Sequence, residues 1–286
     1  MSTTHSNKVI LITGSSSGIG EATAVLLSKA GYTIAATARN LNKTTNLEKV
    51  LKDANTNSKI FPLDITDQMS IKKAVEEIIQ EFGKIDVLIN NAGITIDGFF
   101  EDHSSEDIEK IFKTNVFGTF DMTKAVLPHM RKQRNGHIIN IGSIAGRWAL
   151  PQIGIYSATK FAIEGFSEAI KYELAPFNIR VSIVEPCFVE TPMVHQNRNV
   201  AAKSNTPESP YTQMNEICEN FYEKYGKKYS IFPEDVAQAI LKIINSKKTR
   251  FRYMLGRREN VLKKLQKTLP TPIFEKFLHK TFPSLK

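Results

Sequence analysis

Cysteine is almost missing from this chain, since only Cys187 and Cys218 occur among 286 residues. That is too few for a disulfide framework, and the two lack the paired spacing of a zinc site. A reducing, cytoplasmic setting is the expectation. Long apolar runs are missing as well: no stretch approaches the roughly 20 apolar residues that a membrane-spanning helix needs. The opening Met1-Ser-Thr-Thr-His-Ser-Asn-Lys8 passes straight into Val9-Ile10-Leu11-Ile12. With no basic stretch and long apolar core ahead of it, no secretion leader is expected. The six histidines have no metal-ligand spacing, and none stands with a serine or cysteine in a hydrolase pattern, which disfavours metal and hydrolytic chemistry. Internal repeats and low-complexity tracts are also lacking.

Net charge of one sign is scarce over most of the chain, although the total is +9. Residues 242 to 286 hold 13 Lys/Arg against 2 Asp/Glu, while residues 1 to 241 hold 25 against 27. A nucleic-acid binder would spread basic charge over a face and carry a recognisable module; neither is seen, so no nucleic-acid partner is expected.

What is present is an alternation of short β-rich runs with longer helical patterns. The runs are Lys8 to Thr13, Thr33 to Ala38, Lys59 to Leu63, Asp86 to Asn90, Gly136 to Ile141, Arg180 to Glu185 and Phe251 to Leu255. Between them, positions such as Ile71, Val75, Ile78, Ile79 and Phe82 recur on one helical face. Right-handed βαβ crossovers of this kind build a parallel sheet covered on both sides. The expectation is therefore one doubly wound, Rossmann-type α/β domain over 1–286 with about seven strands. Residues 186–232, rich in Asn, Ser, Thr and Pro, read as an irregular, mobile lid.

The first run ends in Thr13-Gly14-Ser15-Ser16-Ser17-Gly18-Ile19-Gly20. Glycines allow a tight turn and let backbone N–H groups approach a pyrophosphate, which the following helix N-terminus also favours. The second run ends in Ala38-Arg39. Without an acid there to hold a ribose hydroxyl, and with a guanidinium able to grip a 2′-phosphate, NADP(H) is the expected cofactor. Tyr156 and Lys160 lie four apart at the start of a helical pattern, on one face. A free phenol has a pKa of roughly 10, and a neighbouring ammonium is expected to lower it toward useful proton transfer. Ser143 stands just past the fifth run, on the rim where open α/β sheets bind ligands.

The turn Thr-Gly-x-x-x-Gly-x-Gly, the Asn90-Asn91-Ala92-Gly93 segment and the order Asn115, Ser143, Tyr156, Lys160 together resemble the short-chain dehydrogenase/reductase family over residues 7 to 192. The resemblance is closest in feel to hydroxysteroid and retinol dehydrogenases. It implies an oxidoreductase passing a hydride between NADP(H) and a carbonyl or alcohol. Tyr156 would be the proton donor, Lys160 its partner and ribose ligand, Ser143 the carbonyl-orienting hydroxyl, and Asn115 the holder of a water. A structural, helix-distorting Asn115 is the alternative. Cofactor contacts implied by the turn are Gly14, Ser16, Ser17, Gly18, Ile19 and Gly20. Asp64, with Ile65 beside it, would meet the adenine, though N-capping is its other reading. Asn91, Ala92 and Gly93 would line the ribose, and Val189 and Thr191 would meet the carboxamide end. One departure is Cys187, where the family usually has glycine after Pro186; it predicts a backbone without positive φ and a small buried filler.

Trp148, Leu150, Phe188, Met193, Tyr211, Met214 and Phe221 are the candidate substrate wall and suit a lipid-like ketone or alcohol. Residues 257–286 carry two apolar stripes separated by Pro270 and Pro272, a basic amphipathic appendage that would pack on the body or a second subunit, or attract an anionic membrane surface. A homo-oligomer is expected from the resemblance. Two other functions stay open: a 3-oxoacyl-thioester reductase, and an NADP-binding regulatory protein without turnover.

Overall fold

The computed structural model of the chain describes residues 7–54, 56–194 and 198–256, together with 272, 273 and 276. The appendage expected at 257–286 therefore lies outside the described residues, except for those three.

Seven strands form one parallel sheet in the order β3-β2-β1-β4-β6-β7-β9. They are β1 (Val9–Ile12), β2 (Thr33–Ala38), β3 (Lys59–Pro62), β4 (Val87–Asn90), β6 (Gly136–Ile141), β7 (Ile179–Pro186) and β9 (Arg252–Leu255). Each expected run is a strand. The near-continuous apolar character of the central β1, β4 and β6 follows from burial on both faces, because the pleat sends alternate side chains to opposite sides. Ile10 and Ile12 of β1 join one core layer, and Leu11 joins the other. Helices α1 (Gly18–Lys29), α2 (Thr45–Asp53) and α8 (Pro233–Asn245) cover the first layer. Helices α3 (Gln68–Phe82), α5 (Gly118–Gln133) and α6 (Gly154–Leu174) cover the second. Strand order reverses beside β1, which pairs with both β2 and β4; the crevice at such a reversal is where these sheets bind ligands.

A separate two-stranded parallel sheet joins β5 (Ile96–Asp97) to β8 (Asn199–Val200). Helix α4 (Ser105–Phe112) begins at a reciprocal capping box between Ser104 and Asp107. The expectation of an irregular 186–232 segment is corrected here, because α7 (Thr212–Tyr229) fills 18 of its residues. Met214, Ile217, Phe221 and Tyr222 of α7 pack around Cys218 and Phe99, and Tyr211 stacks on Phe99 with ring centroids 4.6 Å apart. Tyr211 and Met214 are thus drawn into this cluster and do not wall the cleft. No helix among the described residues is long and apolar enough to cross a membrane.

Candidate active site

The glycine-rich turn is built by steric necessity. Gly14 and Gly18 hold φ of 70° and 59°, in the left-handed region. A Cβ on Gly14 would stand 2.9 Å from the Ala92 Cα, so β1 and β4 can converge here only without a side chain. A Cβ on Gly20 would come within 2.2 Å of the Gly14 carbonyl oxygen, so Gly20 supports the turn from behind and does not face the cleft. Ser17 precedes α1 in extended conformation and its side chain makes no capping hydrogen bond. Ser16, Ser17, Gly18 and Ile19 line the cleft at the start of α1, where first-turn amides lack intrahelical partners. Such a cradle fits a pyrophosphate.

Asn91 lines the cleft and also holds the turn in place. Its side-chain nitrogen donates to the carbonyls of Thr13 and Gly14, at 2.9 and 3.0 Å, while the Thr13 hydroxyl accepts from the amides of Asn91 and Ala92. The Asn91 amide therefore ties the turn to the end of β4. Ala92 and Gly93 line the cleft next to it.

At the far side of the turn, Ala38 is buried and Arg39 exposed along the rim. Among the described residues no acid follows β2 directly. Asp64 and Ile65 line the same end. Asp64 is not the helix cap: Asp67 caps α3, whereas Asp64 accepts from the amide and hydroxyl of Thr66. Burial pushes the Asp64 carboxyl up, but the Thr66 bonds and the charges of Arg39 and Lys113 outweigh it and hold it below its ordinary value.

Ser143, Tyr156 and Lys160 come together at the opposite end. Ser143 follows β6 and opens a short turn, its hydroxyl accepting from the Ala145 amide. Ser143 and Tyr156 line the same end of the cleft. Lys160 Nζ lies 5.6 Å from the centroid of the Tyr156 ring and donates to the Ile141 carbonyl at 2.8 Å. Burial pushes the phenol up to about 12, only partly offset by Ser143 and reinforced by the Asp97 charge. Burial also pulls Lys160 down to about 8. Among the chain's own groups, desolvation outweighs the contribution of Ser143 and holds the Tyr156 phenol above its ordinary value.

Asn115 is buried in a π-turn over Lys113–Phe117 between α4 and α5. Its side chain accepts from the Ile94 amide at 2.8 Å and donates to the Ile94 carbonyl and the Thr159 hydroxyl. It clamps the loop after β4 to α6, within a local distortion of the helix. Mid-helix π-turns are a recurrent device for placing such a residue.

Beyond β7, Phe188 and Glu190 exchange backbone bonds with Ile231, an isolated parallel bridge centred on Val189. Residue alternation turns the Val189 peptide groups the other way, toward the cleft that Val189 and Thr191 line. Thr191 also packs over Gly18, whose added Cβ would be 3.3 Å away. Cys187 has no positive φ, as expected, but is half-buried in the cleft wall and not a fully buried filler. Burial pushes its thiol up, away from reactive thiolate.

The cleft joining these parts has a volume of about 1780 Å³, beyond the roughly 300–1,000 Å³ of a pocket for one drug-sized ligand. Its far wall combines Trp148, Leu150, Phe188, Met193 and Phe221, with Ile153 and Tyr222 in addition. A feature with no local signal in the sequence closes it: Arg198 donates to Asp97 at 2.9 Å and to Glu219 at 2.9 and 2.5 Å. Asp97 and Arg198 are 101 positions apart, so no spacing pattern could pair them.

Comparison with known proteins agrees with this arrangement. The family model for short chain dehydrogenases matches residues 8–201. The chain is 40% identical to the 3-ketodihydrosphingosine reductase of Bacteroides thetaiotaomicron, covering 87% of this chain and 88% of that protein. It is 38% identical to the 3-oxoacyl-[acyl-carrier-protein] reductase FabG of Thermotoga maritima, covering 82% and 89%. A short-chain dehydrogenase from Streptomyces avermitilis superposes with a TM-score of 0.77 at 31% identity, covering 92% of this chain and 96% of that one. The chain belongs to the short-chain dehydrogenase family of oxidoreductases.

Proposed function

We propose that this chain is an NADP(H)-dependent carbonyl reductase acting on an elongated, lipid-like ketone. The observation that carries the reading is the meeting of Ser143, Tyr156 and Lys160 at one end of a cleft whose other end is the glycine cradle. The residues fit a nicotinamide dinucleotide. The turn from Gly14 to Ile19 would hold its pyrophosphate, Arg39 its 2′-phosphate, Asp64 its adenine, Lys160 its second ribose, and Val189 its carboxamide. When bound, the reduced cofactor supplies a hydride to a carbonyl carbon. Tyr156, kept neutral by burial, gives its proton to the carbonyl oxygen. Ser143 donates a second hydrogen bond to that oxygen and fixes its direction. Lys160, cationic near neutral pH, favours the phenolate left behind. A phenol that holds its proton supports reduction as the working direction.

The large apolar wall supports a lipid-like substrate. Two relatives reduce, by their names, a 3-ketodihydrosphingosine and a 3-oxoacyl group, which favours a linear 3-keto chain over a steroid or retinoid ring. A cytoplasmic, homo-oligomeric enzyme completes the reading. Purified protein is tested with NADPH and NADH against long-chain 3-ketones, 3-oxoacyl thioesters, steroid ketones and retinal. NADPH consumption with a linear 3-keto substrate is the expected result; consumption with none of them contradicts it and favours a cofactor-binding protein without turnover.

A further inference from the structure

Just ahead of the helix that bears Tyr156, one turn adopts a backbone that its sequence does not favour. Gln152 holds a φ of 69°, in the left-handed region that residues other than glycine rarely enter, and it is buried. Such a conformation persists only where the surroundings over-determine it. Bonds from two sides do so here. The Gln152 carbonyl accepts from the Gly98 amide at 2.7 Å, just after β5. Its side-chain nitrogen donates to the side-chain oxygen of Asn215 at 3.0 Å, in the first turn of α7. The carbonyl of Pro151 accepts from the Tyr222 hydroxyl at 2.8 Å, farther along the same helix.

Asn215 is itself fixed from behind. Its side-chain nitrogen donates to the Ser204 carbonyl. The hydroxyls of Ser204 and Ser209 both donate to the buried Asp102, at 3.1 and 2.9 Å. A Cβ on Gly98 would stand 2.7 Å from both the Ala201 Cβ and the Ser204 Oγ, so glycine at 98 is what lets these segments close on one another.

The turn stands between two parts of the cleft. Trp148, Leu150 and Ile153 on either side of Gln152 line it, as do Phe221 and Tyr222 of α7. A wall helix bonded to the turn through both Asn215 and Tyr222 cannot shift without moving that strip. The proton-handling pair is held by other means: Tyr156 packs against Ile96, Ile111 and Ala201, and Lys160 is tied to the Ile141 carbonyl of β6.

We infer that Gln152 is a positioning residue that fixes the apolar wall, through Asn215, against the end of the cleft where the ketone is reduced, and so favours substrates long enough to lie along that wall. The inference rests on the ketone-reductase reading above.

The test compares a long-chain 3-ketone with butanone, which is too short to lie along the wall. Gln152→Gly keeps the left-handed backbone and removes the side-chain bond. It is expected to raise KM for the long ketone about three- to tenfold, and to leave its kcat, and kcat/KM for butanone, within about twofold. Asn215→Leu, similar in volume but without the acceptor, is expected to act in the same direction, and the double variant to be no worse than the larger single effect. An unchanged long-chain KM in Gln152→Gly overturns the inference, whatever happens to the denaturation midpoint. So does an equal loss on both ketones, which would place the effect at the proton donor, and so do single effects that multiply in the double variant. Should the glycine variant not fold, Gln152→Asn tolerates the left-handed region and is one methylene shorter; the same rise in KM is expected, and no rise again overturns the inference. A readout without turnover separates this from the reductase reading. Trp148 is the single tryptophan of the chain, and its fluorescence follows binding of the long ketone in the presence of the oxidised nucleotide, which supplies no hydride. Kd is expected to weaken about three- to tenfold in Gln152→Gly. Weakened binding in a protein that reduces no ketone supports the positioning role and refutes the reductase reading; unchanged binding in an active enzyme overturns the inference alone.

Discussion

At the scale of single residues, the cofactor choice rests on Ala38 and Arg39. Replacing Ala38 by Asp and Arg39 by Ala puts a carboxylate where a 2′-phosphate would sit and removes its counter-charge. The ratio of kcat/KM for NADPH over NADH is expected to fall by at least about tenfold, read in steady-state kinetics; an unchanged ratio contradicts the NADP(H) assignment. Asn115 gives a stability prediction. Asn115→Ala removes the partner of the Ile94 amide and carbonyl in a half-buried loop, at up to about 1–3 kcal/mol for each group left unsatisfied, measurable as a lower denaturation midpoint. Residue types were readable from the chain: the glycines, the phenol and the ammonium could be singled out because their spacing encodes their geometry. Their electrostatics were not. How acidic Tyr156 is depends on burial between elements far apart in sequence, a desolvation that spacing along the chain does not encode.

Among the elements, the strands were legible because burial on both faces demands unbroken apolar runs, as in Val9-Ile10-Leu11-Ile12. Helix α7 was obscured by the polar, proline-bearing residues around it. A signal was nonetheless present, since Met214, Ile217, Cys218, Phe221 and Tyr222 recur at three and four positions on one face. A charged tie between this helix and the body is Arg198, held by Asp97 of β5 and Glu219 of α7. Arg198→Met cuts that tie while leaving the apolar cluster of α7 intact. KM for the ketone is expected to rise by about three- to tenfold with kcat little changed, because the wall and not the proton donor is disturbed. A loss confined to kcat would contradict this division of labour.

For the molecule as a whole, the sheet carries a pH dependence set by His137. This histidine is buried on β6 against the Ser182 hydroxyl, and burial, aided by Arg180 and Lys8, pulls it down to about 3. An unfolded imidazole titrates near about 6.5. Between those values the unfolded chain binds the extra proton, so the stability His137 contributes is complete above the unfolded pKa and is lost as pH falls through the window. The slope from this group is about 1.4 kcal/mol per pH unit. Urea unfolding at about pH 5 and about pH 7 should show this loss, and His137→Gln should flatten it; an equal slope in the variant would assign the effect elsewhere. The parallel sheet and its two-layered core follow from chain-wide alternation, which is why the fold could be read in outline. The isolated β5–β8 pairing could not, since each strand spans two residues and neither has a pattern of its own.

The central claim is that Tyr156 delivers the proton while a hydride arrives from a bound dinucleotide. Its most direct test is transfer of deuterium from NADPH labelled at the nicotinamide C4 into the carbinol carbon of a ketone product, measured by mass spectrometry, together with nucleotide affinity. The native chain should incorporate the label, and Tyr156→Phe should lose turnover by about 10²–10⁴-fold while its affinity for NADPH stays within about threefold. Undiminished transfer of the label in Tyr156→Phe would contradict the account.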